Sequence, residues 1–331
     1  MIKSMKYDVI TIGSALEDIT FFTSEGKLIN NKKDLLRQKM LAFEHGAKIK
    51  VDKVFHSFGG GAANTAVVFA NFGFKVATIV NLGKDAKGDK IIKNFKDQGV
   101  STKLIQKQKK SETGYSFILA SSNHANEHVI FPERGANAEL SITNQALRQL
   151  KKTKWIYLTS MYSNWEDNFE KIFSIDSAKI AWNIGNAQIK RKNRILAKFL
   201  KKTNVLILNK DEALELALTI PKNKKLTSKF LNNTHNLLRM IKDLGPQMVL
   251  ITSGRKGADV LKRKKIYHQD PFKEKKRADT TGVGDAFGSS FIAGLERFDN
   301  NINKALRLAS ENSASVIAEI GAQNGLIKRK L

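Results

Sequence analysis

The feature that most constrains the fold is a rhythm: short β-rich runs alternate with longer amphipathic stretches along most of the chain. Residues 7–12, 75–80, 155–159, 178–182, 205–208 and 248–252 read as strands. Residues 62–72, 87–98, 143–151, 165–174, 211–217 and 231–244 carry helical periodicity between them. Strands separated by helices predict a mostly parallel sheet with helices on both faces, a three-layer α/β fold. Ligands of such sheets bind at the carboxyl ends of the strands.

Two segments break the rhythm. Residues 17–58 separate the first strand from the first strong helix. Residues 113–131 read as a β-hairpin, with strands at 114–120 and 127–131 around a polar turn at 121–126. Together they predict a small lid over the ligand end of the sheet. The α/β body is then 1–16 with 59–112 and 132–331, and the lid is 17–58 with 113–131. A chain of 331 residues suffices for one large core with such an accessory element. Its 4 prolines argue against a Pro-rich hinge between large domains.

The net charge of +26 raises the question of a nucleic-acid partner. The lysines, however, are spread along the whole chain. The densest stretch, Lys190, Arg191, Lys192, Arg194, Lys198, Lys201 and Lys202, has helical spacing with Ile195, Leu196, Phe199 and Leu200 opposite, which a solvated amphipathic helix explains. Nucleic acid is not expected as the main partner; attraction of small anions such as nucleotides is the milder reading. No apolar run reaches the roughly 18 residues that span a bilayer, and the charged start does not read as a signal peptide. The expectation is a cytoplasmic protein with no membrane partner. Zero cysteines exclude disulfides and thiolate chemistry. His124 and His128 stand four apart in a hairpin-like segment, and His45, His56, His235 and His268 are scattered, so no histidine metal site is expected.

The most informative stretch is Asp279-Thr280-Thr281-Gly282-Val283-Gly284-Asp285-Ala286-Phe287. A helix follows, with Phe287, Phe291, Gly294, Leu295 and Phe298 on one face. Glycines at a loop-to-helix junction let the backbone approach an anion, which the free N–H groups and the helix dipole then hold. A carboxylate beside a phosphate site needs another purpose. Asp285 either accepts a proton from a phosphoryl acceptor or is a helix-start residue stabilised by the dipole. The glycines at 83–88 have P-loop spacing but continue with Asp89, and Gly282-Val283-Gly284 lacks the third glycine of a dinucleotide fingerprint.

A second cluster, Gly59-Gly60-Gly61-Ala62-Ala63-Asn64-Thr65-Ala66, opens an apolar helix. It permits either close approach of a ligand, with Asn64 supplying an amide to sugar-type hydroxyls, or tight packing under the sheet.

The two clusters, in this order, resemble the ribokinase-like (PfkB) carbohydrate kinase family over nearly the whole chain. Other stretches match in order: Gly13-Ser14 with Asp18; Gly83, Asp85 and Gly88; Asn209 to Glu212; Thr252 to Gly257; and Gly321-Ala322-Gln323. The resemblance implies an ATP-dependent kinase acting on a hydroxyl, with Asp285 as catalytic base and the amides of Gly282, Val283 and Gly284 as anion hole. It implies Asp18, Gly60, Gly61 and Asn64 at the phosphate acceptor. It places Asn209, Thr252, Gly254 and Gly257 near ATP, with either Ser310 or Asn312 on the adenine side, of which Asn312 is taken as the site residue. Mg²⁺ is expected with ATP, near Glu212 and Asn209, and main-chain oxygens of Asp279 and Thr281 are expected to hold a monovalent cation such as K⁺. Such lids often pair between subunits, so a homodimer through the lid is expected. Trp182 to Ala187 lacks the arginine that many sugar-kinase members carry there, which argues against a phosphosugar. The acceptor expected is a sugar; the alternatives are a nucleoside, stacked by Phe43, Phe55 or Phe58 of the long lid segment, or a non-catalytic relative that only binds such ligands.

Overall fold

The computed structural model describes residues 7–31, 39–122, 128–162, 165–191, 193–220, 223 and 225–331. The expected strands line up in one eight-stranded sheet, in the order Val76–Ile79, Val9–Ile12, Trp155–Leu158, Lys179–Asn183, Val205–Asn209, Met248–Thr252, Ala258–Lys262, Lys265–Gln269. The first six are parallel. The last two are antiparallel additions at one edge. Val9–Ile12 lies inside the sheet, between Val76–Ile79 on one side and Trp155–Leu158 on the other. The chain therefore changes direction of travel across the sheet there, and a switch point of that kind opens a crevice at the strand ends.

Parallel strands are covered on both faces, and these are apolar almost throughout. Side chains alternate between two cores. Ile10, Ile12, Ile156, Leu158 and Trp182 meet Phe169, Phe199, Leu214 and Leu238 on one side. Val9, Val76, Tyr157 and Ile207 meet Phe69, Phe291 and Leu306 on the other. The helices Gly61–Asn71, Val283–Arg297 and Ile302–Ile317 form the second layer.

A separate four-stranded sheet, in the order His128–Gly135, Thr113–Ser121, Leu16–Thr23, Lys53–Gly59, contains the expected hairpin. Its second strand runs on to Gly135 rather than ending at Phe131. Residues 123–127 of the expected turn, with His124, lie outside the described residues. One face buries Asp18, Thr20, Phe22, Ile118 and Ala120, while Phe117, Ile130 and Phe131 are exposed. Asp85 clamps this sheet to the body: it caps the helix Ala86–Asp97 through Gly88 N–H and also accepts from Thr113 N–H and Oγ1–H. The Gly83, Asp85, Gly88 segment is thus a fold clamp.

Three expectations are corrected. The helix anticipated over 231–244 is two, Ser228–Leu231 and Thr234–Lys242, with the Asn233 side chain capping the start of the second by accepting from Asn236 N–H. The basic stretch forms a helix only over Asn193–Lys201, after a short separate turn, Asn186–Ile189. Leu196, Phe199 and Leu200 are buried as expected, and Lys192 and the Arg194 side chain lie outside the described residues. The helix after the glycine loop is buried all round from Ala286 to Leu295, not on one face. Its Gly288 faces Tyr157 and its Gly294 faces Ala305. Among the described residues no helix is long and apolar enough to cross a membrane.

Candidate active site

Gly282 caps the helix Val283–Arg297 in the left-handed region, φ 75°, and offers no side chain to cap it. A Cβ there would also collide with Ala322. Glycine is therefore required twice over, by dihedral and by space. The N–H groups of the first turn, uncapped, are open to a ligand, and the positive end of a 15-residue helix lies behind them. Val283 and Gly284 line a cavity of about 440 Å³, within the roughly 300–1,000 Å³ of small-ligand clefts. A Cβ at Gly284 would meet nothing within 4 Å, so the backbone here faces open space.

The cavity also takes in Thr252, Gly254 and Gly257 from the turn after Met248–Thr252, and Ser310 and Ile317 from the last helix. Asn312 is the exception among the expected residues. Its Nδ2 donates to Ser290 Oγ at 2.8 Å and its Oδ1 accepts from Ile327 N–H at 2.9 Å, in the core. Ser310 is the residue that faces the cavity, donating to the Asp270 carbonyl and accepting from Phe272 N–H to hold the cavity wall. Asn209 and Glu212 cap each other: Asn209 Oδ1 accepts from Glu212 N–H and Glu212 Oε2 accepts from Asn209 N–H, each at 2.8 Å.

The triple glycine packs backbone against backbone. A Cβ at Gly59 would collide with the Asp18 carboxyl, and one at Gly60 (φ 96°) would lie 2.6 Å from the Ser14 carbonyl. Ser14 takes up the next N–H groups, with Oγ accepting from Gly61 and the carbonyl accepting from Ala62 and Ala63. Gly60 and Gly61 therefore serve close approach of chain segments, and their helix start is not an open anion pocket. What they bring forward is Asn64, whose Nδ2 donates to Asp285 Oδ2 at 2.8 Å.

Around Asp285 the electrostatics are unusual for so basic a chain. Burial pushes its carboxyl up to about 6, against the hydrogen bond from Asn64. Burial pushes Asp18 up to about 7, opposed by the Ser116 hydroxyl and reinforced by Asp279 and Asp285. Glu212 rises to about 7 through burial, opposed by Asn209 N–H and reinforced by Asp285. Burial and the Asp285 charge together raise the Tyr157 phenol well above its usual range. Four carboxyls, Asp18, Glu212, Asp279 and Asp285, thus share one neighbourhood. Asp279 spends both oxygens on N–H groups, of Thr281 and Gly321, while the Thr281 hydroxyl beside it is buried without a hydrogen-bond partner. An orphaned buried oxygen next to a carboxylate fits a cation-binding loop. From the second sheet, His128 Nδ1 lies 3.1 Å from Thr280 Oγ1 in the same loop.

Sequence reasoning missed Asn94, Phe272 and the Glu274–Arg277 pair. Arg277 grips Glu274 through two N–H groups, each at 3.0 Å, on the cavity wall. An aromatic among lysines, in a stretch without periodicity, gave no signal.

A mostly parallel α/β sheet with an uncapped glycine helix start and a ligand-sized cavity at the carboxyl end of Met248–Thr252 accords with a ribokinase-like phosphotransferase. The chain belongs to the pfkB family of carbohydrate kinases, whose family model matches residues 30–329. A bifunctional ribokinase/ribose-5-phosphate isomerase A of Fructilactobacillus sanfranciscensis is 28% identical over 326 residues, 97% of this chain; the match spans only 55% of that relative's length. Among solved structures, ribokinase of Arabidopsis thaliana complexed with ribose and ATP superposes with a TM-score of 0.76 at 18% identity, covering 97% of this chain and 96% of the other. Nucleoside kinase of Burkholderia thailandensis in complex with inosine gives 0.75 at 17% identity, over 96% and 94%. At such identities these two establish the fold. As a member of its family the chain is a kinase with a sugar hydroxyl as acceptor.

Proposed function

We propose that the chain moves the terminal phosphoryl group of ATP to a hydroxyl of an uncharged sugar, with Asp285 as general base. The observation that carries this is the placement of Asp285: one turn into an uncapped helix start, held by Asn64, beside the cavity. In this reading ATP occupies the cavity between Thr252–Gly257 and Ser310, with its phosphates at the amides of Gly282, Val283 and Gly284. The acceptor sits between Asp18, Asn64 and Asp285. Asn64 keeps one N–H and one carbonyl lone pair for it, since each amide group has made only one bond. The hydroxyl proton passes to Asp285 as the oxygen attacks in line, and the helix-start amides hold the equatorial oxygens.

The carboxyls of Asp18 and Asp285 beside the acceptor disfavour an anionic group there, which favours a neutral sugar over a phosphorylated one. Mg²⁺ would arrive on the phosphates, with Glu212 and Asn209 as outer contacts, and would neutralise charge developing there. A monovalent cation would be held by the loop of Asp279 and Thr281. Residues 17–58 and 113–131 act as a lid that excludes water. Its outward apolar side chains, Phe117, Val129 and Phe131, support a homodimer through the lid.

The decisive assay is ATP turnover across a panel of neutral sugars with Asp285→Asn alongside. The variant should lose about 10²-fold or more in kcat, as for positioned bases; equal rates would sink the assignment.

One observation favours a nucleoside acceptor as the second reading. Phe22 and Phe55 line a separate cavity of about 380 Å³ together with Ala278 and Ile320, beside the cation loop. Of the lid aromatics, Phe43 instead lies under Gly26 and Phe58 packs on the core. Thermal-shift titration with ribose, fructose, adenosine and inosine separates the two: stabilisation by nucleosides alone would replace the sugar reading.

A further inference from the structure

Three side-chain amides form an unbroken chain that ends on Asp285. Asn94 Nδ2 donates to Gln323 Oε1 at 2.9 Å, Gln323 Nε2 donates to Asn64 Oδ1 at 3.2 Å, and Asn64 Nδ2 donates to Asp285 Oδ2 at 2.8 Å. The four residues come from three helices and the turn that follows the last helix. That turn is itself anchored, because Asp279 Oδ2 accepts from Gly321 N–H at 3.0 Å.

The order of donors is forced from one end. An ionised carboxylate only accepts, so Asn64 must offer it the NH₂ and leave its carbonyl toward Gln323. Gln323 must then present its NH₂ to Asn64 and its carbonyl to Asn94, which must donate in turn. An amide has nearly the same shape with oxygen and nitrogen exchanged, so sterics do not choose between orientations; hydrogen-bond partners do. Without Gln323 the Asn64 carbonyl loses its donor, and only the Asp285 carboxylate still distinguishes the two ends of the amide. Its flipped form sets a carbonyl oxygen against the Asp285 carboxylate, where no hydrogen bond is possible.

We propose that Gln323 and Asn94 are positioning residues for phosphoryl transfer, bracing Asn64 from its carbonyl side in the orientation that keeps Asp285 aimed. The proposal rests on the reading of Asp285 as the base. Neither residue touches the acceptor; both act through Asn64. The relay also links the base to the turn that abuts Gly282 through Ala322, so base and anion loop are set by one piece of chain.

The titratable groups facing Asp285 are Asp18, Glu212 and Tyr157. None changes in the variants that test the relay. The full chain, labelled with ¹³C at aspartate carboxyls, is titrated by NMR without substrate, and the Asp285 signal is assigned by its loss in Asp285→Asn. Gln323→Met keeps the shape but removes the donor. It should raise the Asp285 titration midpoint by about half a unit to one unit, because Asn64, no longer braced at its carbonyl, holds its hydrogen bond to the charged form less firmly. Gln323→Glu should raise it further by adding a like charge. Asn94→Leu, at the far end, should give a smaller rise and serves if a substitution at 323 fails to fold. With the sugar that the wild type turns over best, Gln323→Met should lower kcat about 10-fold with KM for ATP unchanged, the lower end of what misaligning a base costs. An unmoved Asp285 midpoint in a folded Gln323→Met or Asn94→Leu protein overturns the relay. The base assignment falls separately, on undiminished turnover by Asp285→Asn.

Discussion

Single residues at the carboxyl edge of the sheet carry a proton balance that can be measured. Asp285 rises from its ordinary 3.8 to about 6, and a base must be ionised to accept a proton. The kcat/KM profile should therefore climb with pH and level off above about 6; a flat profile from pH 5 to 8 would contradict the role. The same groups affect folding in the opposite sense. Asp18, Glu212 and Asp285 hold protons more tightly folded than unfolded, so between their ordinary values and about 7 folding takes protons up. Their contribution to stability is present at low pH and is lost as pH rises through that window. Asp18→Asn removes a buried charge that is repelled by its neighbours. It should raise Tm at pH 8 by roughly 1–2 °C per kcal/mol gained, the conversion for a chain of this length, and flatten the decline of Tm between pH 5 and 8. Calorimetry at the two pH values checks it. Asp18, Asn64 and Asp285 could be singled out from sequence because each stands in or beside a short glycine motif. Asn94 and Gln323 could not be paired, since hydrogen-bond partners far apart in the chain leave no local pattern. The choice of Asn312 over Ser310 failed for a geometric reason: two residues along a helix turn the side chain by about 200°, from cavity to core.

At the level of elements, the glycine loop and its helix show how two like residues are kept for unlike reasons. Gly282 has a positive φ and Ala322 against it, whereas Gly284 is helical with open space where a side chain would go. Gly282→Ala should lose roughly 1–2 kcal/mol or more of stability, measured by denaturant unfolding. Gly284→Ala should unfold at least as late as wild type, because alanine favours helices, yet lose about 10-fold or more in kcat/KM by placing a methyl group against the proposed phosphate site. Equal effects of the two on stability would refute this division. The parallel strands and most helices were legible, because buried apolar runs and helical periodicity are local signals. The antiparallel pair Ala258–Lys262 and Lys265–Gln269 was not. Its turn is Arg263-Lys264, with Arg263 at φ 55°, and lacks the glycine or asparagine that usually marks such a reversal.

For the whole molecule, the sheet order follows from the strand–helix rhythm, but the partition between body and second sheet depends on contacts the rhythm does not contain. Leu16–Thr23 pairs in parallel with Thr113–Ser121, far along the chain, and that pairing completes the second sheet. Its outward face exposes Phe131 at 57%, Phe117 at 40% and Val129 at 39%, an apolar surface of the kind that marks contact with another molecule. If two copies pair through it, Val129→Lys with Phe131→Lys should shift sedimentation from dimer to monomer, while Tm measured at low concentration stays near wild type. A wild-type monomer at micromolar concentration would rule out the pairing.

The clamp at Asp85 has a mechanical consequence. One carboxylate receives a helix N–H from Gly88 together with the backbone and the hydroxyl of Thr113, the first residue of its strand. That end of the second sheet is pinned like a door at its jamb. Any swing must grow with distance from Thr113 and be widest near His128, where the latch to Thr280 sits.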